Sequence, residues 1–238
     1  NHLSLDCVVF GFHEAQLKVL LLRMKKTSQW ALPGGFVQEH ESMELAASRI
    51  LKQRTGLDDI FLQQFHVFSD PGRSKINPGV PTVIEFGLGS PDGSWFDQRF
   101  ISVGFYALVE YSSVRPMADI FSDRCEWVSL EEMGPLMMDH RQILDKALET
   151  LRLQLVFQPV GFNLLPEKFS MPELQKLYET ILGKELDRRN FKRKILAYNI
   201  LIKLDEVKPG VAHKAPGLYK FNAENYQKAL EEGLDGRW

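Results

Sequence analysis

The chain has 238 residues and a formal net charge of −2, with 44% hydrophobic and 25% charged residues. This composition is typical of soluble globular proteins and excludes disordered and collagen-like chains. The aliphatic runs are short, whereas a membrane span needs about 18 apolar residues, and the first residues do not resemble a signal peptide. We therefore expect a cytoplasmic protein with no membrane partner, in which Cys7 and Cys125 are reduced and buried thiols.

The near-neutral charge conceals an asymmetry between two parts of the chain. Residues 1–150 carry 14 Lys and Arg against 20 Asp and Glu, a net charge of −6. Residues 151–238 carry 15 Lys and Arg against 11 Asp and Glu, a net charge of +4. An acidic part followed by a basic part predicts two functions on one chain, and nucleic acid is the partner to test for the basic part.

The first part alternates predicted strands and helices. Leu5–Phe12 and Leu17–Leu22 predict a β-hairpin. Residues 42–54 have apolar side chains at helical spacing, and Gly56 follows as a stop signal. Further predicted elements are strands at 61–68, 100–109 and 125–128 and an amphipathic helix at 138–155.

Between these elements, residues 70–100 contain five Gly and four Pro. Most connections in compact domains are only a few residues long, so a stretch of this length is either a surface excursion or a functional lid. Residues 83–86 could form a small strand inside it.

The second part has the element order of a winged helix-turn-helix. After a predicted linker at 157–166, Ser170 and Glu173 form a capping box for a helix that ends at Gly183. Asp187 caps a second helix over residues 188–198. Predicted strands at 200–204 and 217–221 follow, with a polar loop between them.

A spaced motif lies between residues 35 and 57. Five residues separate Gly35 from Glu41, seven separate Glu41 from Arg49, and Gly56 and Leu57 close the motif. This spacing resembles the Nudix box. The resemblance implies an α/β/α sandwich over residues 1–155, which we interpret as an effector-binding domain, with residues 156–238 forming the winged helix domain.

The metal-binding carboxylates of that box are missing. Ile50 stands where the family has Glu after Arg, and Gln53 and Arg54 stand where it has the Glu-Glu pair. Mg²⁺ needs oxygen ligands, usually including carboxylates, and Arg54 would repel it. We therefore expect no metal, no cofactor and no catalytic residue. A sharper hypothesis is that the Arg54 guanidinium fills the vacated cation position and pairs with Glu41.

A basic run in the second predicted helix is the most informative feature of the chain. Five positive charges occur in the seven residues 188–194, and no acidic residue follows before Asp205. Phe191, Ile195 and Tyr198 share the opposite face at i, i+4 and i+7 spacing. The run could be a solvated basic face, but on the second helix of a helix-turn-helix it predicts DNA binding. The predicted DNA-binding residues are Arg188, Arg189, Asn190, Lys192, Arg193, Lys194, His213 and Lys214.

The whole chain resembles the Nudix-related transcriptional regulators of the NrtR/AraR type. The resemblance rests on the Nudix-like box, on residues 160–166 and 173–179, on the basic helix and on the closing strand at 217–221. It implies a homodimer, a palindromic double-stranded DNA operator and a small-molecule effector. The sequence of residues 161–166 is most similar to that of the sugar-responsive members and favours a pentose as the effector, while a basic cleft would favour ADP-ribose. The predicted effector-binding residues are Asp6, Arg23, Trp30, Gly35, Glu41, Arg54 and Arg73.

Two other functions stay open beside a ligand-responsive regulator. One is a hydrolase of a nucleoside diphosphate derivative that uses Glu39, Glu41 or Glu44 as non-standard carboxylates. The other is an interaction module whose basic helix binds protein or RNA.

Overall fold

The computed structural model describes residues 2–27, 29–73, 98–209 and 215–234. Internal contacts divide the chain into two compact units. The first comprises Asn1–Gly11 and Lys18–Ala147, and the second comprises Phe12–Leu17 and Leu148–Trp238. The helix that covers residues 140–157 begins in the first unit and ends in the second. The boundary that we predict between residues 155 and 156 lies inside this helix.

A seven-stranded mixed sheet forms the framework of the first unit. Its strands are β1 (Leu3–His13), β2 (Gln16–Met24), β3 (Trp30–Ala31), β4 (Gly34–Phe36), β5 (Phe61–Phe68), β6 (Ile101–Leu108) and β7 (Ser122–Ser129). The central order is β3-β2-β1-β6-β5, while β4 also pairs with β1 and β7 with β2. The β1 and β6 strands are parallel, whereas β4, β3, β7 and β5 pair antiparallel with their neighbours.

The first helix, α1 (Met43–Thr55), forms where the sequence predicts it, because its ends carry local signals. The Ser42 hydroxyl accepts a hydrogen bond from the Leu45 N–H at 3.3 Å, and Gly56 closes the helix at φ 74°. The buried face of α1 belongs to one core cluster with β1 and β6, whose members include Ala47, Ile50, Leu51, Leu5, Val9 and Phe105. This packing fixes α1, and with it the residues of the Nudix-like motif that it carries, against the sheet.

The long helix α2 (His140–Phe157) also buries one stripe, including Ile143, Ala147, Leu151 and Leu155. Both cysteines are free, and Cys7 is buried as predicted, whereas Cys125 is only partly buried. Burial raises the pKa of Cys125 to about 11. Among the described residues, no helix is long and apolar enough to cross a membrane.

The second unit confirms the winged helix order. Helices α3 (Met171–Leu182) and α4 (Arg188–Ala197) are followed by the antiparallel strands β9 (Leu201–Val207) and β10 (Gly217–Phe221). The two-residue strand β8 (Phe169–Ser170) extends this sheet on the other side of β10. The rings of Tyr178 on α3 and Phe191 on α4 meet edge to face at 5.4 Å, which fixes the two helices together.

Two features of the structure differ from the sequence analysis, and one prediction lies outside the described residues. The predicted linker at 157–166 is part of the core, because Val160, Leu164 and Leu165 are buried and the Tyr226 hydroxyl donates to the Pro159 carbonyl at 2.7 Å. A further helix, α5 (Ala223–Glu232), follows β10 and was not predicted. The strand that we predict at 83–86 and most of the 70–100 stretch lie outside the described residues.

Candidate functional site

The matched positions of the Nudix-like motif form a structural brace. Arg49 donates from Nη2 to Glu41 Oε1 at 2.5 Å, from Nε to Glu41 Oε2 at 3.0 Å, and from Nη2 to the Phe36 carbonyl at 3.0 Å. The Gln38 N–H also donates to Glu41, at 2.8 Å. The hydrogen bonds from Arg49 and then from Gln38 lower the pKa of Glu41. Glu41 therefore stays ionised and ties the loop after β4 to α1.

The three positions that lack the family's carboxylates line a single cavity of about 550 Å³ in the first unit. A volume of this size is ordinary for a small-molecule site. Much of its wall is apolar, including Leu22, Met24, Ile50, Phe121, Met137 and Met138. Its charged or amide-bearing residues are Asp6, Arg49, Gln53, Arg54, Arg73 and Asp119, and His140 also lines it.

Arg54 pairs with Asp119, which corrects the hypothesis that it pairs with Glu41. Its Nη2 donates to Asp119 Oδ2 at 2.9 Å, and the two side chains are 12% and 18% exposed. Glu41 is already held by Arg49, so it has no free carboxylate edge for a second guanidinium. Sequence spacing missed Asp119 because it lies 65 residues from Arg54.

A second charged cluster, Asp6–Arg73–Asp139, is also buried. Arg73 donates to both oxygens of Asp139, at 2.8 and 3.1 Å, and to Asp6 Oδ2 at 3.2 Å. The Ser102 hydroxyl donates to the same Asp6 oxygen at 2.6 Å. The Arg73 side chain is only 3% exposed, so the charges lie in a poorly solvated environment where each needs its partner.

His140 faces the same cluster. The Leu32 N–H donates to His140 Nδ1 at 2.9 Å, which places the proton of the neutral ring on Nε2, 3.5 Å from Asp6 Oδ1. Asp139 and His140 stand at the start of α2. Asp139 also accepts from Arg73, and His140 lines the cavity.

The side chains that line this cavity do not suit a divalent cation. Among the described residues, two carboxylates line it, those of Asp6 and Asp119, and each faces a guanidinium. Across the described ranges, no group of three or more His, Cys, Asp or Glu side chains could hold a metal ion. Glu39 and Glu44, the other carboxylates considered for hydrolysis, are exposed and are not part of the cavity wall.

The seven predicted effector-binding residues are thus divided by the structure. Asp6, Gly35, Arg54 and Arg73 line the cavity. Arg23 instead forms a two-pronged ion pair with Asp123, at 2.8 and 2.9 Å, and Glu41 pairs with Arg49. Trp30 lies half-buried on β3, outside the cavity wall. Phe36 and Phe100, which sequence analysis did not select, line the cavity with ring centroids 5.2 Å apart.

The basic run lies on α4, with Phe191 and Ile195 buried beneath it. The Asp187 carboxylate caps the helix by accepting from the Asn190 N–H at 2.8 Å, as predicted, and Arg193 donates to the Asn190 side chain at 2.7 Å. Four basic side chains of α4 are exposed and form no ion pair within the described part of the chain, namely Arg188, Arg189, Lys192 and Arg193. Lys194 is partly buried. His213 and Lys214 lie outside the described residues.

The turn between α3 and α4 is fixed by α3 itself, which presents the basic helix in one orientation. Glu179 accepts from the Leu186 N–H at 3.0 Å, and Gln175 donates to the Leu186 carbonyl at 2.8 Å. At the other end of α3, Lys208, the residue that follows β9, donates to the Glu173 carboxylate at 2.7 Å. The Glu173 carboxylate also accepts from the Ser170 N–H and hydroxyl, which confirms the reciprocal cap that we predict there.

These features define an α/β domain with a Nudix-type helix, joined to a winged helix-turn-helix, which is the domain arrangement of the Nudix-related transcriptional regulators. Residues 1–150 match the NUDIX domain model, and the chain therefore belongs to the Nudix family. Residues 161–221 match the model described as "NrtR DNA-binding winged helix domain".

Similar proteins agree with this assignment over nearly the whole chain. An Acinetobacter baylyi protein described as "ADPR responsive transcriptional repressor NtrR" is 28% identical over 232 residues, covering 94% of this chain and 83% of that protein. The crystal structure of Shewanella oneidensis NrtR complexed with a 27mer DNA matches with a TM-score of 0.76 and 25% identity, covering 95% and 96% of the two chains. The structure described simply as Shewanella oneidensis NrtR matches with a TM-score of 0.72 and 26% identity over the same shares.

Proposed function

We propose that this protein is a transcriptional regulator that binds duplex DNA through α4 and responds to ADP-ribose bound in the cavity of the first unit. The observation that carries the proposal is the exposed basic face of α4, on the second helix of a helix-turn-helix. Unpaired basic side chains on such a helix can neutralise phosphates and bond to base edges in the major groove. The similarity of 95% of this chain to Shewanella oneidensis NrtR, in a structure that contains a 27mer DNA, supports the same proposal.

ADP-ribose is the effector that the cavity favours over a pentose. Three guanidinium groups of the described residues line the cavity. Those of Arg49 and Arg73 are held by carboxylates, whereas Arg54 keeps unused donors from which a diphosphate could accept. The Phe36 and Phe100 rings could stack on a base. The Acinetobacter baylyi relative is described as responsive to ADPR, whereas the comparisons give no support to a sugar effector.

The same residues argue against hydrolysis. Activation of water on a diphosphate in the Nudix manner needs carboxylates on the helix face, and this face presents Ile50, Gln53 and Arg54. Glu41 is committed to Arg49. We therefore propose a sensor domain that binds its ligand without turning it over.

We also propose that the protein acts in the cytoplasm as a homodimer on a palindromic operator. A two-fold dimer presents two copies of α4, so its operator would repeat one half-site with inverted symmetry. Selection of bound duplexes from a randomised pool, followed by sequencing, tests this directly. An inverted repeat is the expected product, whereas a single unrepeated site would overturn the dimeric arrangement.

The test of DNA binding compares two double variants. Arg189→Ala/Arg193→Ala removes two exposed charges from α4, and Arg124→Ala/Arg141→Ala removes two exposed charges from the first unit. We expect the α4 variant to lose most of its affinity for the selected duplex and to lower the salt slope by about 2. The control pair should leave both unchanged. Equal behaviour of the two variants would favour a protein or RNA partner for α4.

A further inference from the structure

Arg54 differs from the other arginines of the cavity in how completely it is bonded. Arg49 makes three hydrogen bonds, to Glu41 and to the Phe36 carbonyl, and Arg73 makes three, to Asp139 and Asp6. Arg54 makes one good bond, to Asp119, and a marginal contact of 3.5 Å with the neighbouring Gln53 carbonyl. Its Nε is buried and has no hydrogen-bond partner among the described residues.

A buried donor without an acceptor is costly, and one on a cationic guanidinium is more so. Arg54 is only 12% exposed, so water gives it little compensation. The guanidinium is therefore attracted to any anionic oxygen that enters the cavity, because such an oxygen could accept from the donors that Asp119 leaves unused. Ile50 and Phe121 add apolar walls to the cavity, where a charged hydrogen bond is stronger than in water.

Asp119 does not depend on Arg54 for its position. Its Oδ1 accepts from the Phe121 N–H at 2.9 Å, from the Ser122 N–H at 2.8 Å and from the Ser122 hydroxyl at 2.8 Å. Only Oδ2 faces Arg54. The carboxylate is thus fixed by its own loop, and it competes for Arg54 at a single oxygen, so the guanidinium can shift toward a ligand without disturbing that loop.

We propose that Arg54 binds a phosphate oxygen of the effector directly, so that this cavity recognises a phosphorylated ligand without a metal ion. The inference rests on the proposed function, which supplies ADP-ribose as the probe. In the Nudix box the position of Arg54 belongs to a carboxylate that would bind a metal cation. Here the cation is part of the chain.

Calorimetric titration of the full-length protein tests the metal independence first. ADP-ribose should bind with the same dissociation constant, within about twofold, in EDTA and in Mg²⁺. A requirement for Mg²⁺ would overturn the inference but leave an ADP-ribose-responsive regulator possible. If the wild-type protein does not bind ADP-ribose under either condition, the proposed effector is wrong and this inference fails with it.

Substitution of Arg54 tests its role. Arg54→Gln should weaken ADP-ribose binding by about 10- to 100-fold, as expected for loss of a charged hydrogen bond, and should change the affinity for adenosine, which has no phosphate, by less than about threefold. Arg23→Gln is the matched control, because it removes another Arg–Asp pair that lies outside the cavity. Wild-type affinity for ADP-ribose in the Arg54→Gln protein would overturn the inference.

A second variant keeps the test decisive if Arg54→Gln does not fold. Asp119→Asn keeps the Oδ1 acceptor of its loop and replaces the oxygen that competes for Arg54 with an amide. Arg54 is then free for the ligand, and ADP-ribose should bind at least about threefold more tightly. Unchanged or weaker binding by a folded Asp119→Asn protein would count against direct contact between Arg54 and the phosphate.

Discussion

Replacing Arg73 with Leu should strongly destabilise the first unit. The substitution leaves Asp6 and Asp139, which are 10% and 12% exposed, as two buried carboxylates without their shared cation. Breaking a buried ion pair by removing one partner typically costs about 3–5 kcal/mol. For a unit of this size, each kcal/mol lowers Tm by about 2–4 °C, so the expected loss is about 6–20 °C.

Differential scanning calorimetry measures this loss, because it can resolve separate transitions if the two units unfold separately. Arg23→Leu is the control, since Arg23 also forms a two-pronged pair with an aspartate but is 31% exposed, and its partner Asp123 is 41% exposed. Exposed pairs contribute little to stability, so its Tm should fall much less than that of Arg73→Leu.

The loss of stability should be partly reversible. Adding Asp6→Asn and Asp139→Asn to the Arg73→Leu protein removes the uncompensated buried charges and should recover at least half of the lost stability. If Arg73→Leu has the Tm of the wild-type protein, or if the triple variant is no more stable than the single one, buried charge is not what makes Arg73 necessary.

Three further outcomes are expected. Burial acts to raise the pKa of Glu173, but hydrogen bonds from Lys208 and Ser170 outweigh it and hold the pKa below its ordinary value of 4.5. The stability that this carboxylate supplies is therefore present above about pH 4.5 and is lost as the pH falls through the lower pKa of the folded state. Acid titration should destabilise the Glu173→Gln protein less than the wild-type protein, and equal acid sensitivity would refute this. Phe191→Ala should lower the free energy of unfolding of the second unit in urea by about 3–5 kcal/mol, because the ring is only 2% exposed and packs against Tyr178. A loss below about 1 kcal/mol would refute that packing. Gly104→Ala should cost about 1–3 kcal/mol in thermal unfolding, because its Cβ would lie 2.6 Å from the Phe65 ring, whereas wild-type stability would show that the ring yields freely.

The parts of the fold that the sequence predicts well are those with local signals. Ser42 and Gly56 mark the two ends of α1, because capping residues act on the nearest turn of a helix. The same holds for Asp187 and Gly183 around the turn of the helix-turn-helix. The basic face of α4 was equally predictable, since the helical period places Phe191 and Ile195 opposite the charges.

The partners inside the cavity could not be predicted in this way. Arg54 meets Asp119 across 65 residues, and Arg73 meets Asp139 across 66, so only the folded sheet brings them together. Helix α5, by contrast, could have been predicted, because Asn222 caps it and Ala223, Tyr226 and Leu230 lie at i, i+3 and i+7 spacing. The segment at 157–166 resembles a linker in its Pro and Gly content, although its apolar residues are in the core.

We propose that the affinity of this protein for its operator depends on ADP-ribose. Fluorescence anisotropy of the selected duplex, measured at fixed salt with and without saturating ADP-ribose, tests it most directly. We predict tight binding to that duplex and a change of at least about fivefold in its dissociation constant when ADP-ribose is present, the coupling expected of an allosteric effector. Equal affinity for the selected duplex and for a scrambled one, or an affinity that ADP-ribose leaves unchanged, would show that the protein is not an ADP-ribose-responsive regulator.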